Sequence, residues 1–227
     1  NMGTGNLKLT ATTGDVYVEK SSGSLSFSKL TTVSMAGNGK TLQLSTTNGA
    51  VNIDSYAGFN ANVQNDNVTV NAAGATSDLT ITAAQPAMTG TITGTAGQNI
   101  ALNVAGAVNT TGNVNLTAGG LISETGSISG ALLTTNAGTG TTLTGANTVT
   151  SFNATNAGGV PVQLTNTTAT LSVTGVQSGG VDVIINNTGN LTVNGTVTAG
   201  AGAGNIQLIA SGATADATLR SEERRVG

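Results

Sequence analysis

The chain has 227 residues, of which 37% are hydrophobic, 2% aromatic and only 7% charged, with no Cys or His and a net charge of −3. An ordinary soluble domain is about 25% charged, so Thr, Asn and Ser must keep this chain in water. The composition excludes a disulfide framework, Cys- or His-based metal and redox sites, and His- or Cys-dependent nucleophilic triads. Lys8, Lys20, Lys29 and Lys40 precede a stretch from residue 41 to 219 with no basic residue, which excludes nucleic-acid binding and polybasic attraction to anionic lipid there.

From the N-terminus, apolar–polar–apolar triplets start at Leu7, Val16, Leu25, Val33, Leu42 and Val51, in steps of 8 or 9, and Val68 follows two steps later. Turn signals stand between them: Thr13-Gly14-Asp15, Ser22-Gly23, Gly37-Asn38-Gly39 and Asn48-Gly49. Short alternating runs punctuated by Gly and Asn read as strands, and none has helical period and length. The phrase Gly-Asn-apolar-polar-apolar returns at residues 5, 112, 189 and 204, and such self-similarity marks a stacked repeat. The turns are not consistently the two-residue type that hairpins favour, so parallel stacking is expected. Two steps, as from Leu7 to Leu25, are expected to make one coil. On that reading Leu7, Leu25 and Leu42 stack on one wall, and Val16, Val33 and Val51 on the next, each coil ~4.8 Å above the last. Phe27 and Phe59 read as core. Asn at turns is expected to form hydrogen-bonded ladders.

Beyond residue 76 the pattern loosens to about 20 residues per coil, still a repeat of solenoid length. Strands are expected at Leu79-Thr80-Ile81, Ile100-Ala101-Leu102, Val114-Asn115-Leu116, Leu143-Thr144 and Thr148-Val149, with Pro86 and Pro161 in loops. Further strands are expected at Leu171-Ser172-Val173, residues 181–185, Leu191-Thr192-Val193 and Ile206-Gln207-Leu208. The expected fold is an all-β parallel β-helix, a solenoid of about 17–21 residues per coil, running unbroken over residues 1–219. At ~4.8 Å per coil, on the order of eleven coils give a rod roughly 50–55 Å long. Residues 220–227, Arg-Ser-Glu-Glu-Arg-Arg-Val-Gly, hold all three Arg and resemble a translated sequencing adapter. They are expected to be a non-native tail on a truncated protein.

Catalysis on such a scaffold needs clustered acids and bases. Asp54, Asp66 and Asp78 recur at an even spacing that is out of step with the coil, and should scatter around the rod. Asp15 and Glu19 lie four apart. No Gly-Gly-x-Gly-x-Asp calcium repeat occurs, and residues 200–204 form a Gly-rich turn without the Lys of a phosphate loop. No catalytic, cofactor-binding or metal residue is assigned, and no enzyme is expected. Thr-x-Thr phrases at Thr80, Thr91, Thr142, Thr148 and Thr196 would suit an ice-binding face, but their spacings of 11, 51, 6 and 48 break the register.

The run Leu116-Thr117-Ala118-Gly119-Gly120-Leu121-Ile122-Ser123-Glu124-Thr125-Gly126 is similar to the filamentous-haemagglutinin family. So are Leu143-Thr144-Gly145-Ala146-Asn147-Thr148-Val149, then Phe152, and Asn156-Ala157-Gly158-Gly159. The likeness is clearest over residues 106–212. These are surface-exposed bacterial adhesins exported by two-partner secretion or as autotransporter passengers. The resemblance implies a right-handed β-helix, an outer-membrane transporter as partner during export, and a secreted or cell-surface location in a Gram-negative bacterium. It implies a stalk segment of an adhesin or fibre, with a host or surface ligand, no nucleic acid and no membrane insertion. The alternatives are a scaffold whose enzymatic or glycan-binding module lies outside this segment, and an ice-binding solenoid.

Overall fold

The computed structural model describes residues 6–219; the octapeptide 220–227 lies outside them. The chain is all-β, 59% strand, with a parallel sheet wound into a solenoid of about 10 turns. At ~4.8 Å per turn the rod is roughly 50 Å long. Among the described residues the helical segments are two 3-10 turns, Phe27–Lys29 and Ala61–Asn65.

Three walls enclose the interior. The first stacks Val16–Lys20, Thr41–Thr46, Asn67–Ala72, Ile92–Ala96 and Val114–Ala118, then residues 133–137 and 152–156. The second stacks Leu25–Ser26, Val51–Ile53, Leu79–Ile81, Ile100–Leu102 and Leu121–Glu124, then residues 141–143, 162–164, 183–185 and 206–208. The third includes Leu7–Ala11 paired with Leu30–Met35, and farther on Ala107–Asn109 paired with residues 127–129.

This geometry corrects the expected stacking. Val16 pairs with Leu42, and Leu25 with Val51, while Val33 pairs with Leu9 and Phe59. Three steps of 8 or 9 therefore close one turn, not two. The step is the length of a strand plus a corner, which is the same for a two-sided and a three-sided coil. The turn then shortens along the chain. The offset between paired positions is 26 at Val16↔Leu42, 24 at Val68↔Ile92 and 19 at Val114↔Leu133. It lengthens again to 21 at Val162↔Val183 and 23 at Val183↔Ile206. The expected coil length thus holds between Val114 and Val183 and falls short toward both ends. Shortening comes from the corners: Ser127–Ala137, Gly140–Asn156, Val162–Gln177 and Val183–Val193 run as continuous strands around them. The separate strands expected at Leu143 and Thr148 are one strand.

Alternation fills the interior. Leu42, Val68, Ile92, Val114, Leu133 and Phe152 form one buried column of the first wall, and Ala72, Ala96, Ala118 and Ala137 another. Burying each Val, Leu or Ile contributes about 1.5–3 kcal/mol. The small column leads into a corner where Gly97, Gly119 and Gly138 stack, and a Cβ on any of them would collide with the carbonyl of Gly74, Gly97 or Gly119 below. Gly is required there by close approach of backbones. Phe27 is buried as expected; Phe59 is partly exposed, stacks on Phe27 at 5.7 Å, and Tyr56 meets both rings edge-on. Pro86 and Pro161 lie outside the strands, as expected.

Candidate functional site

The acidic residues are dispersed along the rod, and most do the same structural job. Strand-leading N–H groups at the corners need acceptors, and a side chain one turn away supplies them. Asp15 accepts from Thr41 N (2.8 Å), Asp66 from Lys40 N (2.7 Å), Asp78 from Asn99 N (2.9 Å) and Asp182 from Asn205 N (2.7 Å). Asp54 accepts from both the backbone N and the hydroxyl of Ser28, each at 2.7 Å. Asn takes the same role elsewhere: Asn67 accepts from Thr91 N, Asn99 from Leu121 N and Asn190 from Asp216 N. Asp54, Asp66 and Asp78 serve three different corners and do not converge. Among the described residues no group of three His, Cys, Asp or Glu could hold a metal ion. Asp15 and Glu19 part company too: Glu19 accepts from the Thr47 hydroxyl at 2.6 Å, and Asp15 accepts from the exposed Tyr17 hydroxyl at 3.2 Å. That bond and the Asp15 charge hold the Tyr17 hydroxyl above the ordinary tyrosine range.

A buried polar ladder runs inside the rod. Asn147, Asn166 and Asn187 occupy successive turns and are 1% exposed or less. Asn166 accepts from Val149 N (2.8 Å) and donates to Val149 O (3.0 Å) and to Asn187 Oδ1 (2.8 Å). Asn187 donates to Thr168 O and Asn190 O, and Asn147 accepts from Ile128 N (2.8 Å). The ladder starts at Glu124, whose Oε2 accepts from Asn147 Nδ2 (2.7 Å) and Gly145 N (3.2 Å). Glu124 is buried and its Oε1 has no partner among the described residues. Burial pushes its carboxyl above the usual range, against the lowering by Asn147 and Gly145. Asn ladders were legible from the sequence; their position in the core, beside a carboxylate, was not.

The outer surface of the first wall carries a second pattern. Its outward residues fall in two columns in unbroken register: Thr69, Thr93, Asn115, Thr134 and Asn153 in one, Asn71, Thr95, Thr117, Asn136 and Thr155 in the other. All ten are Thr or Asn. Thr117, Asn136 and Thr155 are exposed and the other seven half-exposed. Among the described residues, none of the ten side chains hydrogen-bonds to another protein group. Some Thr elsewhere bond back to the rod, as Thr144 does to Glu124 O, Thr150 to Ala131 O and Thr174 to Phe152 O. Gln43 and Ser45 extend the columns on one side, and Gly175 and Gln177 on the other. A shallow depression lies at each end, one around Gln43, Ser45 and Asn71, the other around Asn153, Gly175 and Thr196.

The Thr-x-Thr phrases are not this array. Thr80 and Thr142 lie on the second wall and Thr148 on the third; Thr93 belongs to the columns, and Thr198, paired with Gln177, lies on their extension. The columns escape the sequence reading because their spacing drifts, from 24 at Thr69↔Thr93 to 22 at Thr93↔Asn115 and 19 at Asn115↔Thr134. Aligning the glycines that close each corner, Gly74, Gly97, Gly119 and Gly138, would have revealed that drift. No protein-family model, no curated protein and no solved structure matches this chain.

Proposed function

We propose that this chain is a stalk segment of a secreted or surface-exposed bacterial adhesin or fibre, carried out of a Gram-negative cell through an outer-membrane transporter. The observation that carries the reading is the uninterrupted ladder: strand pairing passes from turn to turn over a continuous buried core that runs from Leu25 to Val193. Such a solenoid resists bending without disulfides, since each repeat is held by its neighbours. The haemagglutinin-like run at residues 116–126 supports the same reading. It spans one corner-to-corner unit: inward Leu116, Ala118, Ile122 and Glu124, with corner glycines Gly119 and Gly126. Such a phrase records turn geometry, so it speaks for architecture and export class more than for a ligand. The side chains of Asp15, Asp54, Asp66, Asp78 and Asp182 are engaged in joining turns, and no catalytic step is assigned to them.

Antibodies raised against the chain should label intact cells that express the parent protein. Labelling only after permeabilisation would refute export. Excising residues 114–132, one whole turn, joins Asn113 to Leu133 in register and should preserve cell attachment. Loss of attachment by a folded excision variant would show that this segment carries the ligand site itself.

A further inference from the structure

We propose that the Thr/Asn plank on the first wall is an ice-adsorbing face. The inference is independent of how the chain is exported. Three properties of the plank select the ligand. The first is periodicity in two directions. Rows repeat at ~4.8 Å along the rod and columns lie ~6.6 Å apart across it, the strand and residue spacings of a parallel sheet. A ligand that uses ten equivalent positions must itself be periodic in two dimensions, which a folded protein or a peptide is not.

The second property is neutrality. Thr69, Asn71, Thr93, Thr95, Asn115, Thr117, Thr134, Asn136, Asn153 and Thr155 bear no charge. A charged mineral or an anionic polymer would be met by fixed charges of opposite sign. The ligand is therefore an uncharged lattice. Frozen water and a crystalline neutral polysaccharide remain, and sugar rings are held by aromatic faces that none of the ten positions offers. Tyr17, exposed on the same wall, stands two turns before Thr69, beyond Gln43.

The third property is unspent hydrogen-bonding capacity, carried on stiff β-branched side chains at the six Thr positions. The ten hydroxyls and amides have no protein partner among the described residues, Asn71 Oδ1 alone among them being shut off from the surface, whereas Thr144, Thr150 and Thr174 bond back to carbonyls. Thr is restricted at χ1, so its hydroxyl and methyl are held in place before a lattice arrives. Little rotamer entropy is then lost on contact. Ice is already ordered, so the partner contributes no ordering cost. A second copy of the chain fits less well: five rows give on the order of 250 Å², from the strand spacing, against the ~800 Å² per partner of a stable interface.

The test is ice-affinity partitioning of the full chain carrying a fluorescent tag, with a non-binding protein of equal size as control. Slow growth of ice should enrich the chain several-fold in the frozen fraction. Thr117→Lys and Thr95→Lys, which point outward and keep the native circular dichroism spectrum, should each fall to the control level. Thr142→Lys, the same change on the second wall, should partition as the parent does. If one plank variant does not fold, the other decides. Three results would overturn the proposal. One is exclusion of the parent chain from ice. Another is equal partitioning of plank and second-wall variants. The last is plank-dependent binding to crystalline cellulose or chitin, or plank-dependent dimerisation in sedimentation, without enrichment in ice.

Discussion

Replacing Asn166 by Ala tests the internal ladder most sharply. The side chain sits in the core, 1% exposed, and makes three hydrogen bonds, two of them to the backbone of Val149. Removal orphans Val149 N–H and Val149 C=O in a region closed to water. Asn187 Oδ1 keeps a donor, Thr168 N, at 3.2 Å. Each orphaned buried group costs about 1–3 kcal/mol, so Asn166→Ala should destabilise by about 2–6 kcal/mol. Asn166→Asp distinguishes hydrogen bonding from shape. Its carboxylate still accepts from Val149 N–H but sets oxygen against Val149 O and Asn187 Oδ1, both acceptors, so it should destabilise more at neutral than at acid pH. Asn194→Ala is the control, because Asn194 is exposed and donates only to Ser172 Oγ; it should stay within about 0.5 kcal/mol of the parent. Solenoids need not unfold in two states, so amide exchange should accompany chemical denaturation followed by circular dichroism. The Val149 amide should lose protection before amides several turns away. An unchanged midpoint with an unchanged Val149 exchange rate would refute the reasoning.

Three further outcomes are expected. Gly138→Ala should cost about 1–3 kcal/mol, because its Cβ meets the Gly119 carbonyl and stacked backbone cannot yield independently; a neutral thermal melt would remove the close-approach argument. Phe152→Ala should cost about 3–5 kcal/mol, since the ring is fully buried between Leu133 and Val173 in its column; exchange should accelerate first in the turns on either side, and uniform acceleration would refute local repeat coupling. Glu124→Gln should stabilise the rod at neutral pH. The folded carboxyl of Glu124 is raised above its ordinary 4.5 by burial, so the folded state holds the proton more tightly than the unfolded chain. That contribution to stability grows as pH falls through the raised folded value, is complete below about 4.5, and is absent at higher pH. The difference between parent and variant should therefore shrink on acidification, and a pH-independent difference would contradict the assignment.

Much of the fold is written locally. Leu42, Leu44, Val68, Val70, Val114 and Leu116 alternate with polar residues and all point inward. Their strands lie close to the expected positions because alternation and Gly/Asn punctuation act within the length of a single strand. The strand Ala107–Asn109 was missed because Ala107 and Asn109 give a weak alternation around Val108, and its pairing with residues 127–129 supplies what propensity does not. The start expected at residue 181 begins at Val183, after a corner closed by Gly179 and Gly180.

The sequence by itself determined that this chain is β, parallel and stacked, with Leu, Val and Ile inside, Thr facing outward on the strands and Gly and Asn marking the turns. Those are consequences of period-two alternation and turn chemistry, each read within one strand. Only the tertiary structure decided that three strands close a turn, that Val16 lies against Leu42 rather than Val33, and that ten Thr and Asn residues share one face. Closure is a contact across a whole turn of sequence, as long as from Val51 to Leu79 or as short as from Val114 to Leu133. It is set by how side chains fill the interior and by where glycines let backbones touch. A period whose length drifts from turn to turn leaves no fixed spacing to read, so the alignment of the columns exists only in the folded rod.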